Sequence, residues 1–130
     1  MTTIKGVITN ENYTTYLYSA TNKLVADEPI GIGGKDKGFA PGELLASSLA
    51  ACTCITLRMY AQRKKFKLES VEVTISVEKD EAKNSTQIQR HIQLIGNLTI
   101  EEKERLLTIA NHCPIHTLLS NPIHIQTKLL

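Results

Sequence analysis

The longest regular segment of the sequence runs from Pro41 to about Lys64, and its pattern predicts a single helix, PGELLASSLAACTCITLRMYAQRK. Pro41 suits the first helical turn, and Glu43 suits the positive end of the helix dipole. Two stripes follow the helix on nearly opposite faces: Leu45, Leu49, Cys52 and Met59 on one, and the small or apolar Ser47, Ala50, Cys54 and Ala61 on the other. Such a helix is buried on both sides. Because one chain of 130 residues can hardly wrap it, we expect a second copy to cover part of it, giving a homodimer.

The remaining periodic segments predict strands and one further long helix. Alternating residues mark three short strands within residues 1–28, a strand at Val71–Val77 and a partner strand carrying Ile88, Ile92 and Leu94. Thr99 and Glu102 form a capping box for a helix whose buried stripe is Leu106, Ile109, Ala110 and Cys113. Pro114 ends that helix and can start another short one, and a strand at 123–129 closes the chain. The order βββ-α-ββ-α-β predicts one α+β domain over residues 1–130, an antiparallel β-sheet packed on the long helix.

Several function classes are disfavoured by composition. The net charge of +2 is too small to indicate nucleic-acid binding, and no basic patch is interleaved with aromatic residues. The loop GIGGKDKGF at 31–39 lacks the spacing of a phosphate-binding loop. We found neither an apolar run typical of a secretory signal nor about 20 uninterrupted apolar residues for a membrane span. We therefore expect a cytoplasmic protein that binds neither nucleic acid nor membranes.

Three cysteines, Cys52, Cys54 and Cys113, are too few and odd in number for a disulfide scaffold. Cys52, on an apolar stripe in mid-helix, is either a buried packing thiol or a reactive one. Cys113 directly precedes Pro114 and is flanked by histidines, a setting that stabilises a thiolate. Cys54 lies about 200° around the helix from Cys52, so we interpret it as a packing residue.

Two other kinds of site were weighed against a thiol site. Cys52, Cys113, His112 and His116 include ligand types that zinc prefers. However, neither Cys-Thr-Cys nor His-Cys-Pro-Ile-His has the spacing of a structural zinc site, and we predict no metal. A serine hydrolase would need a nucleophile elbow, which is missing.

The segment PGELLASSLAAC, followed 61 positions after its cysteine by IANHCPIH, resembles the paired signature of the OsmC/Ohr family, the osmotically inducible and organic-hydroperoxide-resistance proteins. The similarity extends over nearly the whole chain and is nearest to a divergent OsmC-like branch. It implies an intertwined homodimer with two sites at the subunit interface. It also implies that Cys52 is the peroxide-reactive cysteine and Cys113 the resolving one.

The sequence departs from the family pattern at the residues that activate the cysteine. In the family, a glutamate directly after the motif's proline pairs with an arginine from the N-terminal strands. In this sequence Gly42 occupies the position of that glutamate, Glu43 comes one step later, and no arginine precedes Arg58. Arg58 and Arg90 are therefore the candidates for the cation that replaces the family's arginine. We expect a thiol-dependent peroxidase that reduces organic hydroperoxides, takes electrons from an external dithiol and needs no cofactor. The alternative is an OsmC-like module that senses redox state or binds a small apolar ligand without efficient turnover.

Overall fold

A computed structural model describes all residues from Met1 to Leu130. The chain divides into two compact units, Met1–Leu45 and Ala46–Leu130, and each is described by itself. The single domain expected from the sequence stays a prediction.

The first unit contains a three-stranded antiparallel sheet in the order β1-β2-β3. The strands are β1 (Lys5–Ile8), β2 (Thr15–Tyr18) and β3 (Lys23–Ala26). Lys5 pairs with Tyr18 across the first two strands, and Thr15 pairs with Ala26 across the next two. All three strands coincide with the alternating segments of the sequence.

A buried carboxylate, Asp27, organises the loop that follows β3. Its oxygens accept hydrogen bonds from the backbone N–H groups of Tyr13, Glu28 and Lys37 and from the Thr14 hydroxyl. These bonds lower the pKa of Asp27, although burial by itself would raise it. These hydrogen bonds therefore hold the glycine-containing loop next to the sheet.

The helix α1 (Pro41–Lys64) has the bounds predicted from the sequence. In the second unit it is followed by the antiparallel pair β4 (Leu68–Asp80) and β5 (Ser85–Gly96). The helices α2 (Ile100–Ala110) and α3 (Pro114–Ser120) complete this unit. Gly96, with φ of +148°, lies where a Cβ atom would collide with the Lys67 carbonyl oxygen, so the end of β5 requires glycine.

Both the α+β class with antiparallel strands and the capping box of α2 are confirmed. The Thr99 side chain accepts from the Glu102 N–H at 3.1 Å, and the Glu102 carboxylate accepts from the Thr99 N–H at 2.9 Å. The predicted buried stripe of α2 is largely confirmed too, since Leu106, Ala110 and Cys113 have no exposed surface. By contrast, α3 has no buried residue.

The core of the second unit lies between α1, the β4–β5 pair and α2. Its buried members are Leu57, Tyr60, Ala61, Leu68, Leu106 and Ala110. An 18-residue window of α1 has a mean hydropathy of 1.4, which is apolar enough to cross a membrane. Most residues of this window are not buried within the chain. Core helices of soluble proteins meet the same criterion of length and composition.

The buried face of α1 shares only one residue with each stripe predicted from the sequence, Leu49 with the first and Ala61 with the second. Its buried residues are Leu49, Thr53, Leu57, Tyr60 and Ala61, spaced by three or four positions. Met59, from one predicted stripe, is 64% exposed, and Ile55 is 54% exposed. The predicted stripe was chosen by seven-residue spacing along the sequence. The face that is actually buried is the one that packs against neighbouring elements, and it includes the polar Thr53. The predicted homodimer stays a prediction.

The closing strand expected at 123–129 is not formed within this chain, because residues 122–130 have no regular structure. A strand exists only with a partner that accepts its ladder of hydrogen bonds. Neither sheet takes this segment as an additional strand. Ile125 is consequently 85% exposed.

Candidate functional site

The site is built around two sulfurs on different elements, Cys52 on α1 and Cys113 at the junction of α2 and α3. Both are free thiols. Cys52 is half-buried, whereas Cys113 has no exposed surface. Each side chain is near enough to the other to shift its pKa. The two cysteines predicted as a pair therefore lie near each other, and their role as a redox pair stays a prediction.

Cys113 is the N-cap residue of α3, with φ of −63° and ψ of 135°. Pro114 occupies the first helical position, where its lack of an N–H costs nothing. The Cys113 sulfur accepts a hydrogen bond from the His116 N–H at 3.3 Å. The local sequence Cys-Pro-Ile-His therefore aims backbone donors at this sulfur.

The surroundings shift the two thiols in opposite directions. Burial raises the pKa of the Cys113 thiol, but hydrogen bonds from the His116 N–H, Cys52, the Ile115 N–H and Thr53 outweigh burial and leave it below its usual value. Burial also raises the pKa of Cys52, and Cys113 raises it further, so that it stays above its usual value.

Arg90 on β5 links three elements next to this pair. Its Nη1 donates to the Thr53 Oγ1 at 3.2 Å, and its Nη2 donates to the Asn111 Oδ1 at 2.9 Å and to the His116 Nδ1 at 3.1 Å. The threonine hydroxyl and the asparagine amide are uncharged. Because a guanidinium can only donate, the His116 Nδ1 that it contacts must be unprotonated, so the third acceptor is neutral as well. Burial, followed by the charges of Arg90 and His112, lowers the pKa of His116. Arg90 forms no ion pair.

The two arginines proposed as replacements for the family's cation are used differently. The Arg58 guanidinium donates to the carbonyl oxygens of Leu68 and Glu69, at 2.7 Å each, and so anchors the start of β4. Of the two, only Arg90 donates to Thr53, a side chain that lowers the pKa of Cys113. Glu43, the acidic residue next to Gly42, accepts from the Ala40 N–H at 2.9 Å.

A cavity of about 320 Å³ lies against Arg90 and His116. Its apolar wall consists of Leu49, Ile88 and Leu119, and its remaining polar lining consists of Thr86, Gln87 and Ser120. A molecule with an apolar body and a polar end fits such a lining.

Cys54 lies elsewhere. Its sulfur is 3.9 Å from the Val71 carbonyl oxygen, in an apolar hollow that also contains Ile55 and Met59. Burial raises the pKa of Cys54, which makes this thiol a poor nucleophile.

The four residues weighed as zinc ligands do not form a ligand set. No three His, Cys, Asp or Glu side chains of the chain converge on a possible metal position. His112 has its Nδ1 3.1 Å from the Thr108 carbonyl oxygen, and the His116 Nδ1 accepts from Arg90.

Sequence reasoning missed Thr53 and Asn111. Thr53 has no exposed surface and donates to the Leu49 carbonyl oxygen at 2.7 Å. A threonine next to Cys52 in the middle of a helix expected to be buried on both sides was the available signal, since a buried hydroxyl needs partners. Asn111 belongs to the same IANHCPIH segment as Cys113, but its contact with β5 is visible only in the fold.

Comparisons with known proteins agree with this architecture. Residues 34–128 match the family model described as OsmC-like protein. The structure is similar to an OsmC-like protein from Mycoplasma pneumoniae, with a TM-score of 0.77, 21% identity and coverage of 92% of this chain and 86% of that one. It is also similar to an organic hydroperoxide resistance protein OsmC from Legionella pneumophila, with a TM-score of 0.66, 25% identity and coverage of 92% and 89%.

A third similar structure is the organic hydroperoxide resistance protein OhrB of Bacillus subtilis, with a TM-score of 0.63, 19% identity and coverage of 92% and 90%. No curated protein matches the sequence.

Proposed function

The chain belongs to the OsmC-like protein family, and on that premise we propose that it reduces organic hydroperoxides with Cys52 and Cys113. The proposal is carried by two neighbouring free thiols, each of which shifts the pKa of the other. Two similar structures are organic hydroperoxide resistance proteins, which supports a peroxidase-like role.

In the proposed reaction, the Cys52 sulfur attacks the distal oxygen of the hydroperoxide. The O–O bond breaks, an alcohol leaves and Cys52 becomes a sulfenic acid. Cys113 then attacks the Cys52 sulfur, forming a disulfide and releasing water. An external dithiol reduces that disulfide and restores both thiols.

The cavity next to Arg90 and His116, which neither cysteine lines, supports an organic substrate. Leu49, Ile88 and Leu119 suit the alkyl or aryl part of a hydroperoxide, and the Arg90 guanidinium suits its polar end. Hydrogen peroxide would leave the apolar wall unused. We therefore propose that organic hydroperoxides are preferred over hydrogen peroxide.

The test is a steady-state assay with cumene hydroperoxide, tert-butyl hydroperoxide and hydrogen peroxide, each with excess dithiothreitol. We expect many equivalents consumed per chain, fastest with cumene hydroperoxide. Cys52→Ser and Cys113→Ser should lose multiple turnover, whereas the matched control Cys54→Ser should keep it. Turnover by Cys52→Ser at the wild-type rate would contradict the proposal.

The second candidate is a redox-sensing or ligand-binding module. It is favoured by the replacement of the family's glutamate by Gly42 and by the absence of any arginine before Arg58. Such a module would consume about one equivalent of hydroperoxide per chain and then stop even with dithiol present.

A further inference from the structure

We propose that the cavity against Arg90 and His116 is a binding site for a small organic carboxylate, an anion with a short apolar body. All residues that line this cavity belong to the second unit of the chain. The inference goes beyond the proposed peroxidase, because it concerns a charged ligand that need not be oxidised or reduced to be bound.

Arg90 is a half-buried cation without an acidic partner. It forms no ion pair, and no aspartate or glutamate lines the cavity. Its three hydrogen-bond partners, Thr53, Asn111 and His116, carry no negative charge. Withdrawing a charge from water is unfavourable unless an opposite charge lies close to it. An anion in the cavity provides that opposite charge.

The Arg90 guanidinium keeps two N–H groups for a ligand. A guanidinium has five N–H donors. One Nη1–H is donated to Thr53, and the two Nη2–H groups are donated to Asn111 and His116. The Nε–H and the second Nη1–H have no partner within the chain. Carboxylates accept such charge-assisted hydrogen bonds well.

The tautomer of His116 provides a further donor. Its Nδ1 lies 3.1 Å from the Arg90 Nη2, which can only donate, so the proton of the neutral ring is on Nε2. Burial, followed by the charges of Arg90 and His112, lowers the pKa of His116 and favours this neutral ring. No group of the chain accepts from the Nε2–H. A carboxylate in the cavity can therefore accept from two elements, β5 and α3.

The rest of the lining favours an apolar body behind the anionic group. Leu49, Ile88 and Leu119 form the apolar wall, and the remaining lining residues are uncharged. The volume of about 320 Å³ is at the lower end of the range for small-molecule sites. A short aliphatic or aromatic monocarboxylate fits this lining, whereas acetate would leave the apolar wall uncovered.

A purely structural Arg90 would make the same three hydrogen bonds. Those bonds connect β5 to Thr53 on α1, to Asn111 after α2 and to His116 on α3. The two roles differ in what the protein binds. A structural arginine gives the cavity no preference for anions, whereas a ligand-binding arginine makes affinity depend on the charge of the ligand.

The charge preference is tested by isothermal titration calorimetry of the reduced protein with hexanoate, 1-hexanol and hexylamine. These ligands have the same apolar body and differ in charge. We expect a single site per chain that binds hexanoate about tenfold or more tightly than hexanol, with no measurable binding of hexylamine. Acetate should also bind at least about tenfold more weakly than hexanoate, because it lacks the apolar body. Equal affinities for hexanoate and hexanol, or no saturable binding of hexanoate, would overturn the proposal.

The location of the site is tested by two substitutions on α3. Leu119→Asp places a fixed carboxylate in the cavity lining, where it takes the place of the ligand's carboxylate and should abolish hexanoate binding. Leu118→Asp makes the same change at a neighbouring position that is 53% exposed and does not line the cavity. This control should bind hexanoate like wild type. Unchanged hexanoate affinity in Leu119→Asp would refute the inference.

The role of Arg90 is tested by Arg90→Gln, which should weaken hexanoate binding about tenfold or more. Arg58→Gln removes an equal charge from a side chain that donates only to carbonyl oxygens of β4, and it should leave the affinity within about twofold. Circular dichroism establishes that both variants are folded. If Arg90→Gln does not fold, the two substitutions on α3 still decide the question.

Failure of this inference is distinguishable from failure of the proposed function. Turnover of cumene hydroperoxide by a protein that does not bind hexanoate would refute the carboxylate site and leave the peroxidase standing. Binding of hexanoate that requires Arg90, in a protein that does not turn over hydroperoxides, would confirm the carboxylate site and refute the peroxidase.

Discussion

Oxidation of the reduced protein by one equivalent of cumene hydroperoxide should remove two of the three thiols and join Cys52 to Cys113. The two residues are 61 positions apart, and a cross-link over such a loop removes about 4 kcal/mol of chain entropy from the unfolded state. The bond also replaces hydrogen bonds that the reduced Cys113 sulfur accepts. We therefore expect the oxidised form to be more stable by about 2–4 kcal/mol, the usual gain for a native disulfide.

The assay is urea unfolding of the reduced and oxidised forms, followed by circular dichroism and paired with peptide mapping. With a slope of about 2 kcal/mol per molar urea, the middle of the range for small proteins, the midpoint should rise by about 1–2 M. Cys54→Ala should show the same rise, and Cys113→Ser should show none. A disulfide that includes Cys54, or a mapped Cys52–Cys113 bond with no gain in stability, would refute the reasoning. In the second case the sulfurs would be joined only at the cost of strain.

Three further predictions concern other parts of the chain. Arg90→Gln should raise the pH at which the Cys113 thiolate forms in a 240 nm titration, because Thr53 loses its charged donor; Arg58→Gln, which loses only bonds to β4 carbonyls, should not. Cys54→Ala should lower the unfolding free energy by about 1 kcal/mol and leave the rate of peroxide consumption within a few-fold of wild type. A loss of activity as large as that of Cys52→Ser would mean that Cys54, and not Cys52, is the reactive cysteine of this helix. Sedimentation equilibrium at micromolar concentration should give twice the chain mass of 14.4 kDa, and a monomer with intact helical circular dichroism would contradict the predicted homodimer.

Much of the local structure was predictable because it depends on residues close in sequence. Pro41 and the long small-residue run located α1, and the Thr99–Glu102 capping box located the start of α2. The strands β4 and β5 were predicted from alternation, although each is longer than its apolar residues suggested.

What could not be predicted depends on which surfaces meet. The seven-residue spacing on α1 suggested a stripe containing Met59, whereas packing against β4, β5 and α2 buries the stripe containing Thr53. The partners of Arg90 come from three elements, 21 to 37 positions away in sequence. Periodicity identifies faces but does not determine their neighbours. Likewise, alternation at 123–129 indicates a strand without supplying the strand that would pair with it.

The absence of buried residues in α3 has a consequence for how electrons return to the site. Local opening costs least where little apolar surface is buried, so the amides of α3 should exchange with deuterated solvent much faster than those around Leu57 on α1. A fluctuation that lifts α3 would uncover the Cys113 sulfur while the core around Leu106 and Ala110 stays closed. A reductant could then reach the proposed disulfide from the α3 side without unfolding the helix that holds Cys52.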